Sequence, residues 1–405
     1  MMILKIAWRN VWRSKGRSFV VMSSIVVGIW ALIVGNGFMN GFMVGYMDEA
    51  INYDISNIQV HHPEFKQDFD INLSITDGLK KTEEIREWEG VEAVTTRTIV
   101  NGMIASTKKA SGIQIRGIDK KRESEVTSLD SLIKEGAYFE GIKRNPIVIG
   151  AKLAENLKVK LRQKVVLTFN DSDGNITSAA FRVAGIVKSS SLNINERYAY
   201  VLQSDINTLL GIGDEIHEIA MLTSEGVHEG DILTKYNNTY SGDLVEDWKL
   251  IAPEMALMQE MYGSMLYVLM FIILTALIFG IINTMLMAVL ERLKELGMLM
   301  AVGMNKLRVF IMILVETLSL AIISSPVGLF ISFMTISYYR NVGVDLTNYS
   351  EGLEAFGYAS ILYPFVAQET YIVVTVGVII TSFLAAIYPA WKAVKLKPVE
   401  ALHKI

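Results

Sequence analysis

Hydrophobic and polar positions divide this chain into four long apolar runs and one long mixed segment. The first run lies between Arg17 and Asp48, the second between Glu260 and Glu291. The third lies between Arg308 and Arg340, interrupted by Glu316, and the fourth between Glu369 and Lys392. About 20 apolar residues cross a bilayer as a helix, so each run is long enough. The second has 30 consecutive uncharged residues. That surplus predicts a helix that starts outside the membrane, with Pro253 in its first turn and Trp248 anchoring it to the preceding domain. Basic residues precede the first run, but it is too long for a signal peptide and shows no A-x-A site, so it reads as a retained anchor.

The segment between the first two runs changes period. Strand-like stretches are predicted at 56–62, 91–105, 113–118, 146–150, 164–169, 179–188, 198–202 and 217–223. Helices are predicted at 77–88, 129–134, 151–157 and 204–210, the last capped by Ser204. Turns are read at 108–112 and 170–175. The sum is a large α+β domain between the first and second of four transmembrane helices.

Flanking charge sets the expected orientation. Lys5, Arg9, Arg13, Lys15 and Arg17 precede the first run without an acid. Arg292, Lys294, Lys306 and Arg308 outnumber Glu291 and Glu295 after the second, and Lys392, Lys395, Lys397 and Lys404 follow the fourth. The loop after the third run is acidic instead, with Asp345, Glu351, Glu354 and Glu369. Basic flanks prefer the cytosol. The expected order is therefore a cytosolic amphipathic segment 1–18, a first span 19–46, an extracytoplasmic domain and stalk 47–262, and a second span 263–290. A cytosolic elbow 291–308, a third span 309–339, an outer loop 340–369, a fourth span 370–391 and a cytosolic tail 392–405 complete it. The localisation expected is the cell inner membrane.

Composition agrees with a mixed protein. Of 405 residues 51% are hydrophobic and 20% charged, with mean hydropathy +0.34. A net charge of −4 gives no nucleic-acid footprint. There is no cysteine, which excludes disulfides, thiolate metal sites and a cysteine nucleophile.

Candidate chemistry is sparse. Asp171, Asp173 and Asn175 begin like a calcium loop, but Arg182 stands at the twelfth position where glutamate is needed. The five histidines form no metal spacing; adjacent His61 and His62 on a strand would face opposite ways. Neither a P-loop nor a G-x-S-x-G elbow occurs. No catalytic, cofactor or metal residue is assigned. Residues 3–15 place Ile3, Leu4, Ala7, Trp8, Val11 and Trp12 on one face, either a helix lying in the membrane interface or an orientation signal. Gly37, Gly41 and Gly45 form two G-x-x-x-G spacings, which permit close helix packing in lipid but also reflect the glycine content of spans. Asn283 and Glu316 are polar within apolar runs. They read either as an interhelical contact that fixes packing or, for Glu316, as an acid near the boundary.

Several motifs together resemble the FtsX-like permeases. They are Ala7-Trp8-Arg9-Asn10 with Arg13 and Arg17, Asn283-Thr284-Met285 through Glu291-Arg292, Glu295-Leu296-Gly297-Met298-Leu299 with Ala301-Val302-Gly303, and Pro389-Ala390-Trp391-Lys392-Ala393 through Pro398-Val399-Glu400-Ala401-Leu402. Within the large domain Arg116-Gly117-Ile118-Asp119 and Val148-Ile149-Gly150 with Leu153-Ala154 are similar to the MacB-type outer domain. The resemblance covers essentially the whole chain and is strongest to the lipoprotein-releasing LolC/LolE permeases. It departs from MacB, which carries a fused ATPase.

The resemblance implies an ABC transporter permease, not itself an enzyme, working with two copies of a cytosolic ATPase that binds ATP and Mg. It also implies a second permease, identical or paralogous, and a periplasmic carrier. Glu291, Arg292, Leu293, Glu295, Leu296, Gly297 and Gly303 are then expected to dock on the ATPase, with Leu293, Leu296 and Leu299 supplying apolar contact and Gly297 close approach. A loop that only satisfies topology is the plainer reading of the same charges. Spans with few polar groups suit force transmission or lateral capture of a lipidated substrate better than a solute channel. Peptide or amphiphile efflux, activation of an outer partner, and a non-transporting sensor or scaffold are the alternative readings.

Overall fold

The computed structural model describes residues 9, 12–13, 15–189, 191–224, 226–349, 352–353, 358 and 361–395. Most of the predicted interfacial helix at 3–15 and the terminal motif Pro398 to Leu402 lie outside the described residues. The chain divides into two units, residues 1–43, 260–345 and 361–405, and residues 44–259 with 346–360.

Among the described residues four helices are long and apolar enough to cross a membrane, and most of their length lies in the first unit: α1 (Lys15–Ala50), α7 (Pro253–Glu291), α9 (Lys306–Val342) and α10 (Gln368–Lys395). Between α7 and α9 lies a short helix, α8 (Leu293–Ala301). Branched and small side chains fill the core: Ile25, Ile29 and Ile33 of α1, Ile281 of α7, Val309 and Ala321 of α9, Val378 and Ala385 of α10. Gly328 brings α9 against α1, since a Cβ there would lie 3.0 Å from Ile29. In their most apolar windows α1, α9 and α10 are 33–44% buried within the chain, but α7 only 11%. Phe271, Ile272 and Phe279 stand on its exposed side.

A ten-stranded mixed sheet organises the large domain. Its strands are β1 (Ile58–His61), β2 (Val91–Ala105), β3 (Ala110–Ile118), β4 (Ile133–Gly136), β5 (Pro146–Gly150), β6 (Lys164–Asn170), β7 (Ile176–Val187), β8 (Tyr198–Leu202), β9 (Glu218–Thr223) and β10 (Leu244–Asp247). The order is β10-β1-β9-β2-β3-β8-β5-β7-β4, with β6 paired to β2 and β7. Among the described strands only β3/β8 and β5/β7 run parallel. Helices α2 (Gly78–Arg86), α3 (Lys120–Thr127), α4 (Ala151–Leu157), α5 (Gln203–Leu210) and α6 (Glu229–Thr239) cover the sheet. The apolar core gathers around Ile115, Ile147, Leu153, Phe181 and Ile206.

Beside that core sits a buried charged cluster. Arg97 of β2 is fully buried; its Nη1 donates to Glu218 Oε1 at 2.6 Å and its Nη2 to Glu123 Oε1 at 2.8 Å. His61 Nε2 lies 3.0 Å from Glu218 Oε2. Burial alone would raise the Glu218 carboxyl; Arg97 and His61 override it and hold it far below the usual carboxylate range. His217 accepts from the Ile99 amide at Nδ1 and faces the Ile71 carbonyl at Nε2, both at 3.0 Å, and burial lowers its basicity.

Several local expectations are corrected. Helix α5 begins at Gln203 and its N-terminus has no side-chain cap, so Ser204 is inside the helix and not its cap. The expected helix at 129–134 is one 3-10 turn, Leu129–Leu132, followed directly by strand β4. Helix α1 outruns its expected span, continuing through a π-helical turn at Ile51–Ile55. Residues 346–360 group with the large domain, where the rings of Tyr46 and Tyr358 lie 5.5 Å apart.

Candidate functional site: the elbow and its braces

Helix α7 ends at Glu291 because Arg292 leaves helical geometry, at φ −95° and ψ 16°. The Arg292 carbonyl then accepts from the Leu296 amide at 3.0 Å and starts α8. Termination of α8 needs a left-handed residue, and Gly303 supplies it at φ +104°. The Gly303 amide donates to the Met300 carbonyl at 3.1 Å and the Met304 amide to the Leu299 carbonyl at 3.0 Å, the paired bonds of a Schellman end. Two residues later Asn305 caps α9, its Oδ1 accepting from the Leu307 amide at 3.2 Å. The elbow expected at 291–308 thus holds the short helix α8 (Leu293–Ala301) between the break at Arg292 and the turn at 302–305 that leads into α9.

Two ion pairs brace it. Arg292 Nη1 donates to Glu316 Oε1 across 2.8 Å, with both side chains nearly buried. Arg13 forks onto Glu295 at 2.7 and 3.4 Å, with both partners well exposed. The first pair ties the break after α7 to the body of α9; the second ties the N-terminal segment to α8. Exposed pairs contribute about 0–1 kcal/mol. A buried one matters because removing either partner strands a charge. A cavity of about 500 Å³ lies between them, walled also by Met285, Val289, Met312 and Ile313.

Helix α8 turns its leucines inward. Leu296 is 7% exposed, Leu299 packs against the same core, and Gly297 is buried. Leu293 is half-buried. Of the residues expected to meet a partner, Leu296 and Gly297 are buried against this chain's own core and Leu299 packs on the same cluster, whereas Leu293 stays half-buried outside it. The apolar groups left outside are Met298 at 58%, Val302 at 86% and Leu307 at 62% exposure. Glu291, Lys294, Glu295 and Gly303 are exposed beside them.

The intramembrane polar residues part company. Glu316 makes the Arg292 contact, whereas Asn283 is exposed on α7, on the side away from the core. The glycines also differ. A Cβ on Gly37 would lie 2.6 Å from Ile336 Cδ1 and 2.7 Å from Val366 Cγ2, and one on Gly41 2.6 Å from the Tyr363 carbonyl oxygen. Gly37 O accepts from the Phe365 amide at 3.1 Å. Around Gly45 there is open space, so the second G-x-x-x-G spacing brings nothing close at its end. Among the described residues no group of three or more His, Asp or Glu side chains is placed to hold a metal ion.

Comparison with known families decides the class. The MacB-like periplasmic core domain matches residues 18–234, more than half of the chain, and the FtsX-like permease C-terminal domain matches 267–398. This chain belongs to the FtsX-like, MacB-type permeases. As a permease of the ABC transporter class, it is similar to the lipoprotein-releasing system transmembrane protein LolE of Haemophilus influenzae. The identity is 20%, over 93% of this chain and 92% of the relative. LolC of Neisseria meningitidis is 22% identical over 95% of this chain and 94% of its own length. The pyoverdine export ATP-binding/permease protein PvdT of Pseudomonas fluorescens is 24% identical over 98% of this chain but 58% of its own. Among solved structures the periplasmic region of MacB from Actinobacillus actinomycetemcomitans aligns with a TM-score of 0.35 at 14% identity, over 52% of this permease and 97% of that region.

Proposed function

We propose that this permease couples ATP hydrolysis by a separate cytosolic ATPase to movement of its large domain, and that its cargo is a lipoprotein drawn from the outer leaflet of the inner membrane. The observation that carries the coupling half is the elbow. Helix α8 is locked from within by Leu296 and the Arg292–Glu316 pair, while Met298 and Val302 lie outside with charged neighbours. A helix seated so firmly moves with α7 and α9 when pushed. In this reading the elbow and both termini are cytosolic, as the basic flanks favour. Two ATPase copies, which hold ATP and Mg, serve two permeases. The open side of α7, with Asn283 on it, is where the second permease packs. Released cargo passes to a periplasmic carrier.

The cargo half rests on the relatives named for lipoprotein release, which match nearly the whole chain. A second cargo, a small exported amphiphile, is favoured by the pyoverdine export relative, which matches 98% of it. The test is ATP turnover by the reconstituted complex in nanodiscs. A lipidated protein substrate is expected to change turnover several-fold, and its unlipidated form to have no effect. Response to a small amphiphile alone selects the second cargo. An ATPase whose turnover ignores both the permease and every outer ligand removes the proposal.

A further inference from the structure

Part of the sheet in the large domain keeps one face open. Strands β2 and β3 form one hairpin and β6 and β7 another. Strand β6 pairs with β2 along Met103–Ala105, so the hairpins lie side by side and point opposite ways. Alternate side chains turn inward, among them the buried Ile104, Ile113, Leu167 and Phe181. The positions between them face outward. One outward row crosses both hairpins at a single level: Gly112, Met103, Thr168 and Ser178 are successive cross-strand partners. Met103 is 53% exposed, and a Cβ on Gly112 would meet nothing within 4 Å. The Thr168 and Ser178 hydroxyls bond each other at 3.0 Å, so covering this row strands neither of them.

Charge sits only at the two ends of the hairpin β6–β7, and the ends differ in sign. At one end Lys164 and Arg182 are cross-strand partners, both exposed. The β2–β3 turn, with the exposed Lys108 and Lys109, reaches the same level. At the other end the β6–β7 turn holds Asp171 and Asp173. Asp171 closes the turn, accepting from the Asp173 and Asn175 amides at 3.1 and 2.8 Å, while Asp173 is exposed. Between the ends the outward pairs Val166–Ala180, Thr168–Ser178 and Asn170–Ile176 are uncharged. Thr168 stands near the middle, four residues after Lys164 and five before Asp173.

We propose that this face packs on the same face of a second copy of the chain, about a twofold axis that crosses the strands at Thr168. Such an axis reverses strand direction, so each basic end lies over the partner copy's acidic turn. An axis along the strands would set like charge on like. One face that carries both signs at mirrored distances from its centre is self-complementary, as a twofold contact requires. Exposed ion pairs contribute about 0–1 kcal/mol each, so the charges fix orientation and the uncharged strip supplies the contact. At about 4.8 Å between strands and 3.4 Å along them, four strands over the length of β6 offer roughly 450 Å². A stable interface hides about 800 Å² per partner. The contact therefore forms between chains already held in one complex, where effective concentration is high, and it rests on the reading that two permeases work together.

The test is thiol crosslinking of the full-length chain in native membranes, where a sequence without cysteine accepts single ones cleanly. Two differently tagged copies are co-expressed, treated with a short bismaleimide, captured through one tag and detected through the other. Thr168→Cys and Ser178→Cys place their thiols at the axis, each facing its own copy. They are expected to give at least tenfold more doubly tagged product than Lys121→Cys, at an exposed position on α3. With Thr168→Cys in both copies, Asp173→Lys or Lys109→Glu alone is expected to lower the product at least fivefold, and the two together to restore it, at an unchanged melting temperature. Asn283→Cys on α7 reports separately whether two permeases pair. Product from Asn283→Cys with none from Thr168→Cys overturns the sheet contact and leaves the paired permeases standing; product from neither overturns both. A Thr168→Cys crosslink to a different protein, or product that ignores both charge reversals, also overturns the contact.

Discussion

Arg292 Nη1 sits 2.8 Å from Glu316 Oε1, joining the residue that breaks α7 to the third turn of α9. Glu316 is the one acid in the third apolar run, and its partner lies 24 positions earlier. Because both are nearly out of water, the pair is worth most when one partner is lost. Glu316→Ala or Arg292→Ala is expected to lower stability by about 3–5 kcal/mol, whereas Arg292→Met with Glu316→Leu recovers most of the loss. Thermal unfolding of the purified permease in detergent checks this. Equal melting temperatures for the single and double variants would mean that the pair braces nothing.

Inward and outward residues of α8 are expected to fail in different ways. Leu296→Ala removes core contacts and costs about 2–5 kcal/mol of stability. Met298→Glu with Val302→Glu leaves the core intact and is expected to lower permease-dependent ATP hydrolysis at least tenfold at an unchanged melting temperature. Glu295 has a second duty toward Arg13, so its reversal disturbs a brace as well as a surface. Exchanging the pair, Arg13→Glu with Glu295→Arg, separates the two: recovered turnover assigns the effect to the brace.

Gly41 and Gly45 look alike in sequence and part in space. Any side chain on Gly41 meets the backbone carbonyl of Tyr363, which cannot rotate away. Gly41→Val is expected to cost about 1–3 kcal/mol, as overpacking does. Gly45→Ala meets nothing and is expected to be neutral or stabilising by about 0.5 kcal/mol, as for glycine replaced in a helix. Gly37 is intermediate, because its neighbours are the flexible ends of Ile336 and Val366. Melting curves for the three variants rank them.

Acid should loosen the large domain through two groups acting in the same direction. Burial lowers the His217 pKa from 6.5, so the unfolded chain binds a proton there that the folded chain refuses. Stability falls as pH drops below about 6.5. Glu218 is held low by Arg97 and His61 after burial is overcome, so its contribution is present above its unfolded value of 4.5 and disappears only as pH falls through the folded one. Denaturant titrations of the full chain at pH 7.5, 6 and 5 are expected to show falling stability. His217→Gln is expected to flatten the slope between 7.5 and 5, even though it lowers the starting value.

What sequence made legible was whatever repeats along one element. Thirty uncharged residues between Glu260 and Glu291 announced α7, and Pro146 through Gly150 followed by Ala151 announced a buried strand and its helix at their true bounds. Partnership across elements was hidden. Nothing near Arg97 says that Glu123 of α3 and Glu218 of β9 will meet it, because a contact between separate elements leaves no local period. On α8 the leucines looked like a docking face, since helical spacing reveals that a stripe exists but not which side the rest of the protein occupies. Helix α6 went unseen because its polar face, from Glu229 to Asn238, carries only Ile232, Leu233 and Tyr236 as apolar anchors.

Coupling through the elbow requires an ATPase to touch Val302, an apolar residue left 86% exposed there. A photoreactive amino acid in its place, activated in intact cells, measures this directly. A crosslink to a nucleotide-binding ATPase that disappears when Met298 is also made glutamate is the result predicted here. Labelling of the same position by a membrane-impermeant reagent from outside the cell, or crosslinks that never include an ATPase, would contradict it.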